Sequence, residues 1–328
     1  MTAQKIKVAV TGATGETGVS IVKALLESEE FAITAYVRPS STEKPQLQGF
    51  KEKGVPIIPL DLEAAPLEEI VKAFQGQEII ISGVMPHTSD IEKKLANAAK
   101  QVGVKRFIPS FFAPLAPPTG VNILREIKEE VINHVKKLHL PYTVIDAGGW
   151  YQVSLPNPPS GKLDYMTKIP SNVQYGDGHY STSVVDLGDI GKYVALIIKD
   201  PRTLNKYVFA YNEVWTHDAM FKLVEELSGE TVERQSVPEE ALEAGIQEAS
   251  KAYKQDPSYK NFVLLIVQQY ANQNWVRGDN LPETGTYLGY LLSKDLYPDF
   301  KFVGLRDFAK EALDGKAQPV YTTKTFDF

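Results

Sequence analysis

A glycine-rich segment near the N-terminus constrains the fold of this chain more than any other feature. Residues 11–18 read TGATGETG, after a short apolar run at 7–10 and at the start of helical apolar spacing over 18–26. Glycines permit a tight turn and let backbone N–H groups approach a pyrophosphate where the helix begins. A plain strand-to-helix turn is the alternative. The flanking strand and helix favour a dinucleotide-phosphate loop made of Thr11, Gly12, Thr14, Gly15, Glu16, Thr17 and Gly18.

The pattern beyond this segment alternates strand and helix. Strand-like runs are expected at 32–37, 55–60, 78–82, 106–109 and 142–146. Helical runs are expected at 67–74, 91–102, 123–138, 217–228, 239–254 and 308–313, whereas 262–273 is apolar with Gln and Tyr interleaved. This alternation predicts an α/β fold: a Rossmann doubly wound parallel sheet with a smaller, mostly C-terminal α/β substrate region.

The domain boundary is expected where this alternation stops. Residues 1–150 are predicted to form the nucleotide-binding domain, to which the chain returns at about 180–215. Residues 151–179 and 216–328 are predicted to form the substrate-binding region.

The end of the second strand indicates which dinucleotide is bound. An acidic residue there would hold the ribose 2′-hydroxyl of NAD, but this chain has Arg38, followed by a hydroxyl-rich loop and Lys44. A guanidinium binds phosphate in a bidentate manner, and an ammonium adds charge. The alternative is that both are ordinary solvated charges. We predict NADP(H) as the cofactor, with Gly83 and Val84 after the fourth strand also contacting it.

Composition narrows the class of protein. The chain has 328 residues, a net charge of −6 and no cysteine. The charge gives no indication of a nucleic-acid or membrane partner, and the absence of cysteine excludes disulfides and a thiol nucleophile. No apolar run approaches the roughly 20 residues of a membrane span, and the N-terminus lacks signal-peptide character. A soluble, cytoplasmic protein is therefore expected, with homodimer formation left open.

Several segments together resemble a known family. Besides TGATGETG, the chain contains VKRFIPS at 104–110, LPYT at 140–143, DPRTLNK at 200–206 and DLYPD at 295–299. These segments resemble the NmrA-like, isoflavone reductase-like branch of atypical short-chain dehydrogenases. That branch includes phenylcoumaran benzylic ether and pinoresinol–lariciresinol reductases. The resemblance runs almost end to end, and it implies an NADP(H)-dependent reductase.

The resemblance also implies one characteristic lysine on the helix after the fifth strand, which falls on Lys128. The tyrosine of the usual Y-x-x-x-K motif would stand at position 124, where this chain has Leu124; the branch lacks that tyrosine as well. Lys128 can hydrogen-bond the nicotinamide ribose and stabilise a developing oxyanion. A solvated helix lysine is the alternative. We predict that Lys128 is the catalytic residue and a cofactor contact.

Two segments depart from the pattern of the family. Residues 110–113 read SFFA where Ser-Glu-Phe-Gly is common, and 147–150 read AGGW where Ser-Asn-x-Phe is common. Both lie where the substrate would sit, which predicts an apolar, aromatic pocket and puts a plant lignan or isoflavonoid substrate in doubt. The predicted substrate contacts are His87, Phe111, Phe112, Trp150 and Tyr151. Core packing is the alternative for the aromatic residues, and a loop position without a role for His87.

The leading functional prediction is an NADPH-dependent reductase of a small aromatic or conjugated substrate, such as a secondary metabolite, assisted by Lys128. Two alternatives stay open. One is an NADP(H)-binding, NmrA-like redox-sensing regulator without turnover; the other is a non-redox cyclisation or condensation enzyme on the same fold. The five histidines have no metal-ligand spacing, so no metal is predicted.

Overall fold

The computed structural model describes residues 4–85, 87, 89–169 and 172–321. The chain forms two compact units that interleave in sequence. The first unit contains Met1–Phe112, Ile127–Asp146 and Gly188–Val208. The second contains Ala113–Glu126, Ala147–Leu187 and Phe209–Phe328.

The regular elements are numbered in chain order. The strands are β1 Ile6–Thr11, β2 Phe31–Val37, β3 Ile57–Pro59, β4 Ile79–Ile81, β5 Arg106–Ile108, β6 Thr143–Ala147, β7 Gly149–Trp150, β8 Val173–Tyr175, β9 Ser181–Val185, β10 Lys206–Ala210, β11 Glu213–Thr216, β12 Gln235–Val237 and β13 Leu291–Leu292. The helices are α1 Glu16–Glu27, α2 Pro45–Glu52, α3 Leu67–Ala73, α4 Asp90–Val102, α5 Ile123–Lys137, α6 Tyr151–Ser154, α7 Leu187–Ile197, α8 His217–Ser228, α9 Glu239–Gln255, α10 Tyr259–Trp275, α11 Pro282–Tyr287, α12 Ser293–Leu296 and α13 Leu305–Leu313.

The first unit is built on a parallel sheet with strand order β3-β2-β1-β4-β5. In register, Val8 of β1 lies between Ile33 of β2 and Ile79 of β4. Residues 8–10 of β1 and all of β4 are apolar and buried, as a parallel sheet covered on both faces requires. Beyond β5, Phe107 forms a parallel bridge with Tyr142, which leads into β6. The prediction of a Rossmann-type parallel sheet is confirmed.

Helices pack against this sheet and against each other. One apolar cluster includes Ile70 of α3, Leu95 of α4 and Val131 of α5, packed with strand residues such as Ile80. Helix α1 meets α7, the helix of the returning segment, at a close crossing. A Cβ on Gly191 would lie 2.2 Å from the Ser20 carbonyl oxygen, and the Gly191 N–H donates to Ser20 Oγ at 3.0 Å. Gly191 is therefore required by helix packing.

The second unit has smaller sheets and its own core. Strand β9 pairs in parallel with β7 and antiparallel with β11, and β8 pairs in parallel with β12. Its apolar core includes Tyr151, Phe221 of α8 and Phe308 of α13. Helix α10 covers the stretch 262–273 whose structure the sequence pattern did not assign. Within the part of the chain that the structure describes, no helix combines the length and apolarity needed to cross a bilayer.

Candidate functional site

The three glycines of segment 11–18 differ in what surrounds them. Gly12 has a φ of +66°, and a Cβ there would lie 2.2 Å from the Gly83 carbonyl oxygen. A Cβ on Gly18 would lie 2.2 Å from the Gly12 carbonyl oxygen. At Gly15 the nearest atom to such a Cβ is 3.4 Å away, and its φ of −78° suits any residue. Backbone packing therefore requires Gly12 and Gly18, whereas at Gly15 the protein itself leaves room.

The loop after β4 packs directly against the glycine loop. The Gly83 N–H donates to the Thr11 carbonyl oxygen at 3.0 Å, and the Thr11 hydroxyl donates to the Ile81 carbonyl oxygen at 3.3 Å. The Val84 carbonyl oxygen accepts a hydrogen bond from Ser110 Oγ at 2.8 Å. These contacts bring the carboxyl ends of β1, β4 and β5 together, at the edge where open α/β sheets bind ligands.

The helix start next to Gly15 is arranged for an anion. Gly15 is the N-cap of α1 and has no side chain that could accept from the first-turn N–H groups. The positive end of the helix dipole favours negative charge at this point. Thr14, Glu16 and Thr17 are half-buried beside it, and their contacts with a cofactor stay a prediction.

The segment after β2 is more regular than the sequence pattern suggested. Residues Pro39–Ser41 form a 3-10 turn, and Lys44 is the N-cap of α2, a helix that the pattern did not predict. Arg38 and Lys44 are both exposed, and within the described ranges neither side chain has a carboxylate partner. Two exposed cations at this strand end suit a 2′-phosphate.

Lys128 is buried, not solvated. It lies on the part of α5 that belongs to the first unit, and only 4% of its surface is exposed. Its amine donates a hydrogen bond to the Phe111 carbonyl oxygen and lies 5.5 Å from the centroid of the Phe111 ring. Leu124, at the position of the missing tyrosine, is buried as well. A solvated surface lysine is therefore excluded by the burial of Lys128, and its catalytic role stays a prediction.

A buried carboxylate close to Lys128 escaped the sequence analysis. Glu92, on the first turn of α4, is fully buried, and its Oε1 accepts the Ser110 N–H at 2.8 Å. Desolvation raises its pKa; the hydrogen bond from the Ser110 N–H, the nearby Ser82 hydroxyl and the charge of Lys128 oppose that rise. In the sequence, Glu92 is one charged residue in an amphipathic helix, and nothing in the local pattern marks it as buried.

The predicted substrate contacts Phe111 and Phe112 form a buried corner after β5. Phe111 is part of the apolar cluster of the first unit. Phe112 has a φ of +22°, a conformation that is rare for a bulky residue, and its N–H donates to the Ile145 carbonyl oxygen at 2.9 Å. The rings pack within the unit, and their contact with a substrate stays a prediction.

In the second unit, the AGGW segment is explained in part by strand packing. A Cβ on Gly148 would lie 2.9 Å from the Ser183 carbonyl oxygen of β9. Trp150 stacks on Tyr321, with ring centroids 5.7 Å apart. Tyr151 is fully buried, and it lines a cavity of about 700 Å³ together with Leu155, Leu163, Met166 and Phe308. Substrate contact by Trp150 and Tyr151 stays a prediction.

Two of the histidines, His87 and His217, lie in different surroundings. His87 is exposed. Its contact with a substrate stays a prediction. His217 lies in an aromatic stack, 3.7 Å from Trp275 and 6.3 Å from Tyr175 by ring centroids. Burial, reinforced by the Arg234 charge, lowers its pKa to about 4. No group of three potential metal ligands occurs among the residues that the structure describes.

The chain is similar in sequence to a known family and to several named proteins. The NmrA-like family model matches residues 4–271. The asnovolin J 5′,6′-dehydrogenase of Aspergillus novofumigatus (strain IBT 16806) is 41% identical over 320 residues, covering 94% of this chain and 96% of that protein. The isoflavone reductase-like protein of Olea europaea is 29% identical, covering 93% of this chain and 98% of that protein.

Solved structures share the fold over nearly the whole chain. The leucoanthocyanidin reductase of Vitis vinifera, solved as a binary complex with NADPH, has a TM-score of 0.78 at 23% identity and covers 94% of this chain and 99% of its own. A crystal structure of an isoflavone reductase has a TM-score of 0.75 at 24% identity, with the same coverage. These similarities show a common architecture.

Proposed function

Because this chain belongs to the NmrA-like family, we propose that it is an NADP(H)-dependent oxidoreductase, working as a reductase of a small aromatic or conjugated metabolite. The observation that carries the proposal is the packing of the loops after β1 and β4. Close backbone contacts surround Gly12 and Gly18, whereas a Cβ on Gly15 would make only an ordinary contact, 3.4 Å from the Gly12 carbonyl oxygen. Packing within the protein does not require a glycine at Gly15, so its presence supports a ligand that approaches the backbone there.

The residues present fit NADP(H). The glycine loop and the first turn of α1 would hold the pyrophosphate, Arg38 and Lys44 the 2′-phosphate, and Gly83 and Val84 would border the nicotinamide half. NADPH bound here would supply a hydride from its nicotinamide ring. The protein's part is to orient that ring, exclude water and stabilise charge on the substrate.

Lys128 is the proposed catalytic group. Its burial strengthens any electrostatic interaction that its amine makes, and Phe111 holds the amine in place through its carbonyl oxygen. A donor fixed in this way can stabilise an oxyanion or transfer a proton to it. Since residue 124 is a leucine, no tyrosine acid competes for that role at the usual position.

The names of the relatives support the substrate class. One is a dehydrogenase of asnovolin J, and others are phenylcoumaran benzylic ether and pinoresinol reductases. These names include both redox directions, so the assay has to cover both. The cavity beside Tyr151 supports a substrate pocket in the second unit.

The experiment combines cofactor absorbance with product mass. The purified protein is incubated with NADPH, or with NADP⁺, and a panel containing an isoflavone, pinoresinol and conjugated cyclic ketones. Hydride addition consumes NADPH and adds about two mass units to the product, and oxidation does the reverse. NADPH binding without product would favour a redox-sensing regulator. Product without a change in NADPH would favour non-redox chemistry, and either result would refute the proposed activity on these compounds.

A further inference from the structure

Glu92 is a buried ionisable group to which the proposed function assigns no role. It is fully buried, and one carboxyl oxygen accepts the Ser110 N–H at 2.8 Å. The other oxygen, Oε2, has no hydrogen-bond partner among the described residues, and neither does the buried Ser82 hydroxyl. A carboxyl group in this environment is costly to keep unless it has a charged partner or a task.

The charged partner is Lys128. Its positive charge acts on the Glu92 carboxyl, and it is itself buried. The Ser82 and Ser110 groups are the polar neighbours, at the carboxyl ends of β4 and β5. A carboxyl group from α4 and an amine from α5 are therefore bound to neighbouring backbone atoms at the strand ends where the cofactor is proposed to bind.

The turn after β5 holds both groups through adjacent residues. The N–H of Ser110 donates to Glu92, and the carbonyl oxygen of the next residue, Phe111, accepts from the Lys128 amine. The residue after these, Phe112, has the positive φ of +22°. The SFFA segment therefore connects the carboxyl and the amine by backbone atoms one residue apart.

We propose that Glu92 is a positioning residue that controls the charge of the Lys128 amine, the two forming one ionisable pair held by the Ser110–Phe111 turn. Glu92 acts on the reaction through Lys128, so the proposal rests on the role assigned to Lys128 above. An ionised Glu92 favours the ammonium form of Lys128, and its negative charge balances the positive charge of that ammonium group. A protonated Glu92 leaves the site one charge more positive.

The first test follows the carboxyl itself and needs no substrate. Infrared difference spectra over pH, on protein labelled with ¹³C-glutamate, detect the C=O stretch of a protonated carboxyl group. Subtracting the spectrum of Glu92→Gln, whose amide still accepts the Ser110 N–H, assigns the band. In Lys128→Met the midpoint of this band should rise by about one pH unit, because a nearby positive charge is lost. A band that is absent, or that keeps its midpoint in Lys128→Met, would overturn the proposal.

The second test uses the charge of the cofactor as a probe. The nicotinamide ring is positive in NADP⁺ and neutral in NADPH, so the ratio of the two dissociation constants reports local charge. Above the infrared midpoint, Glu92→Gln should weaken NADP⁺ relative to NADPH by about tenfold. Lys128→Met should shift the ratio in the opposite direction. A loss of structure alone would weaken both cofactors together.

The pH dependence and a control variant complete the design. In the wild type, NADP⁺ should weaken relative to NADPH as the pH falls through the midpoint, because Glu92 loses its negative charge; Glu92→Gln should not show this change. Glu130, on the same helix as Lys128, has an exposed carboxylate bound to Ser89 and Lys93, so Glu130→Gln should leave the ratio unchanged. If the band responds to Lys128 but the ratio does not move, the pair stands and the proposed cofactor position is refuted.

Discussion

The different surroundings of Gly15 and Gly18 predict opposite outcomes for a substitution at each position. Gly15→Val should leave the fold intact and abolish tight NADPH binding. The φ and ψ of Gly15, −78° and 164°, are those of extended backbone, and the nearest atom to a Cβ is 3.4 Å away. Gly18→Ala adds fewer atoms, but its Cβ would lie 2.2 Å from a carbonyl oxygen.

The magnitudes follow from these environments. Replacing Gly15 reduces the entropy of the unfolded chain, which stabilises by roughly 0.4–1 kcal/mol. It also loses a favourable N-cap residue, at a similar cost. We therefore expect the free energy of unfolding of Gly15→Val to stay within about 1 kcal/mol of the wild type. In Gly18→Ala the backbone has to move by roughly 1 Å, and overpacking of this kind costs about 1–3 kcal/mol.

The assay is urea unfolding of both variants, combined with NADPH titration followed by fluorescence. Gly15→Val should bind at least about tenfold more weakly, because the side chain occupies the space that the pyrophosphate needs. If Gly15→Val is stable and binds NADPH normally, the phosphate lies elsewhere. If it is destabilised as much as Gly18→Ala, the distinction between the glycines is wrong.

Three further substitutions test the site and the second unit. Arg38→Ala should weaken NADPH by roughly 10- to 150-fold and NADH much less; equal weakening in calorimetric titrations would contradict a 2′-phosphate contact. Lys128→Ala should lower the single-turnover rate of hydride transfer by about 10²–10⁴-fold, and Lys128→Arg should not restore it; an unchanged rate constant would remove Lys128 from the chemistry. The folded pKa of His217, about 4, lies below its usual 6.5, so the unfolded chain takes up the proton first as the pH falls. Stability should therefore drop by up to about 3 kcal/mol between pH 6.5 and 4. Urea unfolding at both pH values should show a smaller drop in His217→Asn, and an equal drop would show that other groups are responsible.

The long amphipathic helices could be predicted from the sequence because their signals are local. Helix α8 begins and ends at the residues that the spacing indicates, His217 and Ser228, and Thr216 caps it by accepting the Ala219 N–H. Helix α4 differs by one residue at its start. Apolar periodicity and a capping residue are enough to define such helices.

The elements that escaped prediction lack a local signal. Helix α2 buries only Leu47 and Phe50, too few positions to establish a period. Strands β7 and β13 have two residues each, and they exist as strands because partners from elsewhere in the chain pair with them. Helix α10 carries Gln and Tyr among its apolar residues, so it shows no single apolar face.

For the site, the sequence by itself indicated the glycine loop and the basic end of β2, because turn geometry and charge are properties of neighbouring residues. The lysine on α5 followed from the resemblance to the family. Only the tertiary structure decided that Gly12 and Gly18 serve backbone packing while Gly15 does not. It also decided that Lys128 is buried and that the charge of Lys128 opposes the rise that burial causes in the pKa of Glu92. Burial and the affinity of a group for its proton depend on atoms from distant parts of the chain. Residues 82, 92, 110 and 128 come from two strand ends and two helices, and only folding brings their charges and hydrogen bonds together.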